Sequence, residues 1–125
     1  MGTRLIILGG TLIILLAVPH AFLGWPSIAE ELIAAKIDPD LVAGISVGWY
    51  FGSLSMVALG LVVLLVAPAV RTDLRAFRAA LVVGLAYLAF GVAAILFRSP
   101  RPQFGAFLVT GMLIAGGAVY ARRAA

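Results

Sequence analysis

Four long apolar runs dominate the pattern of the chain, and the polar residues between them mark where each begins and ends. The first, Leu5 to Leu23, follows a single cation, Arg4, and holds His20 as its one ionisable group. The second extends from Pro39 to about Ala67, the third from Arg75 to Phe97 and the fourth from Gln103 to Ala121. An α-helix needs ~20 apolar residues to cross a bilayer, so the pattern predicts four spans over about 4–23, 39–67, 75–97 and 103–121. The first run exceeds the ~7–15 residues of a signal-peptide core, and Pro19-His20-Ala21 is a poor cleavage motif, so it reads as a retained span. Pro19 removes a backbone donor and should kink this helix beside His20.

The connecting segments carry their own signals. Ser27, with Glu30 three residues on, has capping-box form and predicts a short helix over about 28–37. Ile28, Leu32, Ile33 and Ile37 spread over a broad apolar face, while Glu30 and Glu31 lie off it. That is the pattern of a helix resting in the headgroup layer, with Lys36 snorkelling from it. Asp38 reads as the cap of the second span, with Pro39 at its first helical position and Asp40 near the positive helix end. Pro68 closes that span, and Arg98-Ser99-Pro100-Arg101-Pro102 forms a stiff turn before the fourth. The expected fold is all-α, a single transmembrane domain over 1–125. It is an integral membrane four-helix bundle with a short interfacial amphipathic helix between the first two spans.

Composition narrows the function classes. With 64% apolar and 11% charged residues and a mean hydropathy of +1.19, the chain is neither an ordinary soluble domain nor a disordered segment. It has no Cys, so disulfides, thiolate metal sites and quinone-linked dithiol chemistry are excluded. The formal charge of +4 comes from basic residues scattered at span ends, without the stripe that would follow a phosphate backbone, so no nucleic-acid partner is expected. Arg4, Arg71, Arg75, Arg78, Arg122 and Arg123 share one side in this threading, against Lys36, Arg98 and Arg101 on the other. The positive-inside bias then predicts a multi-pass membrane protein with both termini cytoplasmic.

The helix faces supply the candidate chemistry. Gly44, Gly48 and Gly52 recur every four residues along the second span, a small-residue stripe suited to close helix packing, and Ser46, Trp49, Tyr50 and Ser53 fall on roughly the opposite face. Both faces are expected to pack, which would make this helix central. In the third span Gly84 and Gly91 share a face near Tyr87, whose hydroxyl needs a partner close to the bilayer midplane; in the fourth, Gly105 and Gly116 share another. On the outer side, His20, Trp25, Arg98 and Arg101 gather at the boundary above Trp49 and Tyr50. Such a cluster reads either as an interfacial aromatic belt with snorkelling cations or as the wall of a pocket.

No ionisable group other than His20 lies inside a span, so the pattern is not that of a pump or transporter. One His with Met56 or Met112 is a poor haem ligand set, and no cluster of His and carboxylates points to zinc or di-iron, so neither cofactor nor metal is expected. No G-x-S-x-G elbow precedes Ser46, Ser53 or Ser55, which argues against nucleophilic catalysis. The stretch His20 to Trp25 and the run Gly48-Trp49-Tyr50-Phe51-Gly52-Ser53, set in this hydropathy plan, resemble the uncharacterised small four-helix inner-membrane proteins of bacteria of the DoxX-like kind. The resemblance implies a bacterial inner-membrane bundle and no particular activity. The leading expectation is a non-catalytic protein that works through helix contacts, as a homo-oligomer or as an accessory subunit of a membrane complex. The alternative is binding of a lipid-like, isoprenoid or quinone molecule in an outer-half pocket near Trp49 and His20, with Tyr50, Ser53 and Tyr87 as further contacts and Arg98 or Arg101 at its mouth. Membrane lipids are the expected surroundings in either case.

Overall fold

The computed structural model describes residues 1–97 and 102–124, and these are helical apart from short connections. Helix α1 covers Gly2–Pro19 and passes through a wide π-helical turn, His20–Gly24, into α2, Trp25–Ala34. Helix α3 covers Pro39–Val66 and ends in a 3-10 turn at Ala67–Ala69; α4 covers Leu74–Phe97 and α5 Pro102–Arg123. Four helical segments are long and apolar enough to cross a membrane, Gly2–Ala34, Pro39–Ala69, Leu74–Phe97 and Gln103–Arg123. The chain is a multi-pass membrane protein.

Local chemistry explains the helix ends. Asp38 caps α3 as expected, its Oδ1 accepting from the backbone N–H groups of Asp40 (2.9 Å) and Leu41 (3.3 Å), with Pro39 in the first turn. The capping box at Ser27 does not form. Pro19 cannot donate to the preceding turn, and the chain responds by widening into the π turn instead of breaking, so α2 begins at Trp25 and Ser27 falls inside a continuing helix. The short helix expected over 28–37 is therefore a continuation of the first span. It ends in a Schellman motif, in which Lys36 N–H donates to the Ile33 carbonyl (2.9 Å) and Ile37 N–H to the Leu32 carbonyl (3.1 Å). Lys36 carries a left-handed φ of 55° at the position where glycine is usual.

In the bundle α1 packs against both α3 and α5, and α5 against α4, whereas α3 and α4 meet only marginally. The order across the bundle is thus α3, α1, α5, α4. Small residues permit the close crossings: a Cβ on Gly84 would lie 2.6 Å from the Ala115 backbone nitrogen, and one on Gly60 would lie 2.9 Å from the Gly10 carbonyl. Ile6, Ile13, Val63, Ala67, Val70, Ala80, Ile114 and Ala118 form the buried core. No residue of α3 before Ser53 is buried, so the core occupies the half of the bundle that holds the α3–α4 turn, and the other half splays.

The ends of the bundle agree with the threading. Gly2 sits against Gly117 and Ala121, Arg71 Nη2 donates to the Ala124 carbonyl (2.9 Å), and Arg122 Nη1 donates to the Arg71 carbonyl (2.8 Å). The start of α1, the α3–α4 turn and the end of α5 therefore share one face of the molecule, and with them Arg4, Arg71, Arg122 and Arg123.

Candidate functional site

Where the bundle splays, α3 and α4 leave a lateral groove of about 600 Å³. Its walls are Ile45, Gly48, Trp49, Gly52, Ser55, Met56 and Leu59 of α3 and Ala86, Tyr87 and Phe90 of α4; Phe107 of α5 forms its floor and His20 one rim. The volume falls within the ~300–1,000 Å³ of small-molecule sites, and the lining is of the expected kind, mostly apolar and aromatic with a few polar groups.

The π turn builds the rim. It places the His20 ring flat on the Trp49 indole, with centroids 4.4 Å apart and planes 4° apart. Trp49 Nε1 donates to the His20 carbonyl at 2.7 Å, and the edge of the indole lies where a side chain on Gly24 would be, 2.8 Å from a Cβ at that position. Gly24 is therefore a steric requirement of the turn. Ser53, buried one helical turn beyond Trp49, holds the imidazole from behind: its Oγ is 2.8 Å from His20 Nδ1 and 3.3 Å from the Trp49 carbonyl. The other ring edge is turned toward the groove, with Cε1 3.7 Å from a Cβ placed on Gly52. Nε2 has no hydrogen-bond partner among the described residues.

Across the groove stands Tyr87. It is 6% exposed, and its ring rests against Phe107 with centroids 5.8 Å apart, while Phe90 meets Phe107 edge-on at 4.8 Å. The helix-to-helix hydrogen bond expected of its hydroxyl is absent among the described residues. No fully buried side-chain polar atom there lacks a partner, so the Tyr87 hydroxyl has some accessible surface, and the cavity it lines is the groove. A tyrosine hydroxyl without a partner among the described residues, on a side chain that lines a cavity, can pair with a polar atom placed there.

Of the residues anticipated for a pocket, His20, Trp49 and Tyr87 line the groove, and Ser53 supports His20 from within. Trp25 and Tyr50 pack at a tilt behind this wall, with the Trp25 ring 6.4 Å from those of both Trp49 and Tyr50, and they do not line the groove. Arg98 and Arg101 lie outside the described residues. The glycine stripe of α3 is not packed within the described chain. Among the described residues, a Cβ on Gly44 or Gly48 would meet nothing within 4 Å, and one on Gly52 would meet only His20, so no described helix covers that face and α3 is not central in this half. Gly84 and Gly91 do pack, against Ala115 and Leu108 of α5, whereas Gly105 and Gly116 meet nothing within 4 Å. Sequence reasoning missed Gly10, Gly60 and Gly111 as close-packing positions, and it missed Ser55, Phe90 and Phe107 as groove residues.

Fold and groove together define a multi-pass helical membrane protein with a lateral, aromatic-lined cavity. No family model, curated protein or solved structure matches the chain.

Proposed function

We propose that the protein binds a lipid-soluble molecule in the groove between α3 and α4. The observation that carries this reading is a pair of polar groups without a hydrogen-bond partner among the described residues, the Tyr87 hydroxyl and His20 Nε2, on side chains that line a mostly apolar cavity. An apolar surface open to lipid needs no occupant beyond acyl chains, but hydrocarbon leaves these two groups without hydrogen bonds. In this reading the protein is a non-catalytic binding protein of the bacterial inner membrane with both termini cytoplasmic, related to the DoxX-like bundles, and its ligand enters sideways from the bilayer.

A second reading keeps the same face for helix contacts. The open space beside Gly44 and Gly48 would admit a helix of a second copy or of another membrane protein, as in a homo-oligomer or an accessory subunit. One experiment separates the two. Native mass spectrometry of the protein released from nanodiscs reports bound mass and stoichiometry together, and Gly48→Leu fills the groove at a position with no neighbour to displace. A lipid-sized adduct on the 13.0 kDa chain, lost in Gly48→Leu, is the expected result. Bare multiples of the chain that revert to monomer in the variant would support the second reading and refute the first.

A further inference from the structure

A second, smaller cavity lies where the start of α1, the α3–α4 turn and the end of α5 meet. It holds about 160 Å³ and differs from the groove in kind, because its lining is mainly polar, with Thr3, Arg71 and Tyr120 around it. Arg71 is fixed in place by the end of α5. Its Nη2 donates to the Ala124 carbonyl (2.9 Å), and its own carbonyl accepts from Arg122 Nη1 (2.8 Å). A carbonyl is a neutral partner that takes up a single N–H, so positive charge and further donors remain on the guanidinium for an anion. No carboxylate lines the cavity among the described residues. Asp73, the one acid of the α3–α4 turn, engages its Oδ1 with the Arg75 backbone N–H at 2.7 Å, as the cap of α4.

The level of the cavity in the membrane suits a phosphate. Thr3 lies twenty-two residues before Trp25, which is about 33 Å of helix and enough to cross a hydrocarbon core ~30 Å thick. Trp25 packs with Trp49 and Tyr50 at the far side, as an interfacial aromatic belt does. The cavity therefore sits in the opposite headgroup layer, where a charged group keeps its solvation. Arg4, Arg75, Arg122 and Arg123 lie within one turn of the helix ends that surround it, so the field in this layer is positive. Such a field attracts anionic lipids in general, but a basic pocket between helix ends holds one headgroup in place. The guanidinium matches two phosphate oxygens with its planar fork, and the Thr3 and Tyr120 hydroxyls are donors for the others. A zwitterionic headgroup offers the same phosphate but brings an ammonium into this positive field, so an acidic lipid is favoured.

We infer that this cavity binds the phosphate group of an anionic phospholipid, with Arg71 as its charged partner and Thr3 and Tyr120 as hydroxyl donors. The site is separate from the groove and does not rest on the ligand reading of the groove. The test is native mass spectrometry of the protein released from nanodiscs of equal parts phosphatidylcholine and phosphatidylglycerol. Phosphatidylglycerol should be retained in preference to phosphatidylcholine by about fivefold or more, the ratio that one nearby arginine supplies. Arg71→Gln should abolish the preference, while Arg78→Gln, which removes an equal charge outside the cavity, should keep most of it. Tyr120→Phe removes only the hydroxyl of a half-exposed ring and should lower the preference about two- to threefold, which decides the matter if circular dichroism shows Arg71→Gln unfolded. Gly48→Leu should leave it unchanged, because that substitution acts on the groove alone. Equal losses in Arg71→Gln and Arg78→Gln, or no loss in Arg71→Gln and Tyr120→Phe, would overturn the inference and leave a diffuse charge effect. Loss of phosphatidylglycerol in Gly48→Leu would overturn it by placing that lipid in the groove. Inorganic phosphate retained through Arg71 in nanodiscs of phosphatidylcholine alone would overturn the lipid assignment in favour of a free phosphate ligand.

Discussion

Gly84 and Gly48 are both glycines in small-residue stripes of membrane helices, yet the structure assigns opposite consequences to giving each a methyl group. On Gly84 the new Cβ would sit 2.6 Å from the Ala115 nitrogen, 2.9 Å from the Ala115 Cβ and 3.0 Å from its Cα. Ordinary contact begins at about 3.4 Å, so α4 and α5 must part by about 0.8 Å, and the obstacle is backbone that cannot rotate aside. Overpacking of this kind costs about 1–3 kcal/mol. Alanine recovers up to about 1 kcal/mol through helix propensity, so Gly84→Ala should be less stable by roughly 1–2 kcal/mol. On Gly48 the same methyl meets nothing within 4 Å, the propensity term stands alone, and Gly48→Ala should gain about 0.5–1 kcal/mol. Reversible unfolding in mixed micelles with increasing dodecyl sulfate, followed by tryptophan fluorescence, measures both variants against the parent. Equal stability of the two variants, or a destabilised Gly48→Ala, would refute the assignment of Gly48 to an open face and of Gly84 to the α4–α5 contact.

The remaining predictions concern the connections and the orientation. Lys36 holds a left-handed backbone conformation that glycine adopts without strain, so Lys36→Gly should stabilise the α2–α3 junction by about 0.5–1 kcal/mol in the same unfolding assay. If both termini are cytoplasmic, a periplasm-dependent reporter fused after Ala125 stays inactive and one inserted near Lys36 is active; activity at the C-terminal fusion would invert the threading.

The spans were legible because the bilayer demands ~20 apolar residues and the chain breaks its apolar runs with Pro, Asp and Arg. The Asp38 cap and the distortion beside Pro19 were legible for local reasons: each depends on residues within one turn. Ser27 misled because its capping-box signal presupposes that the preceding helix has ended, whereas the π turn carried the helix through. The glycine stripe on α3 was ambiguous for a different reason. In a membrane every face of a helix is apolar, so spacing alone cannot say whether a small-residue face meets another helix, a ligand or lipid, and only the tertiary arrangement leaves Gly44 and Gly48 open. His20, Trp49 and Tyr87 could be picked out as rare polar or amphipathic groups in apolar helices, but that His20 and Tyr87 face one cavity from opposite sides depends on the bundle order.

That order accounts for the groove without any special device. Helices α3 and α4 are joined by a short turn, yet α1 and α5 occupy the positions between them, so the neighbours in sequence are flank elements in space. Near the turn the chain holds α3 and α4 together through Val63, Ala67, Val70, Ala76 and Ala80, all buried. Farther from it no tether draws the two together and α1 and α5 leave the space between them unfilled, so bulky side chains would be needed to close it. The residues that stand there on α3 are Gly48 and Gly52, the smallest available, while the large ones, Trp49, Phe90 and Phe107, line the walls and floor. A bundle that needed only to be stable would place volume at Gly48, where Leu meets no obstacle. On the proposed reading, a bound molecule would take up that volume beside two polar groups that have no partner among the described residues.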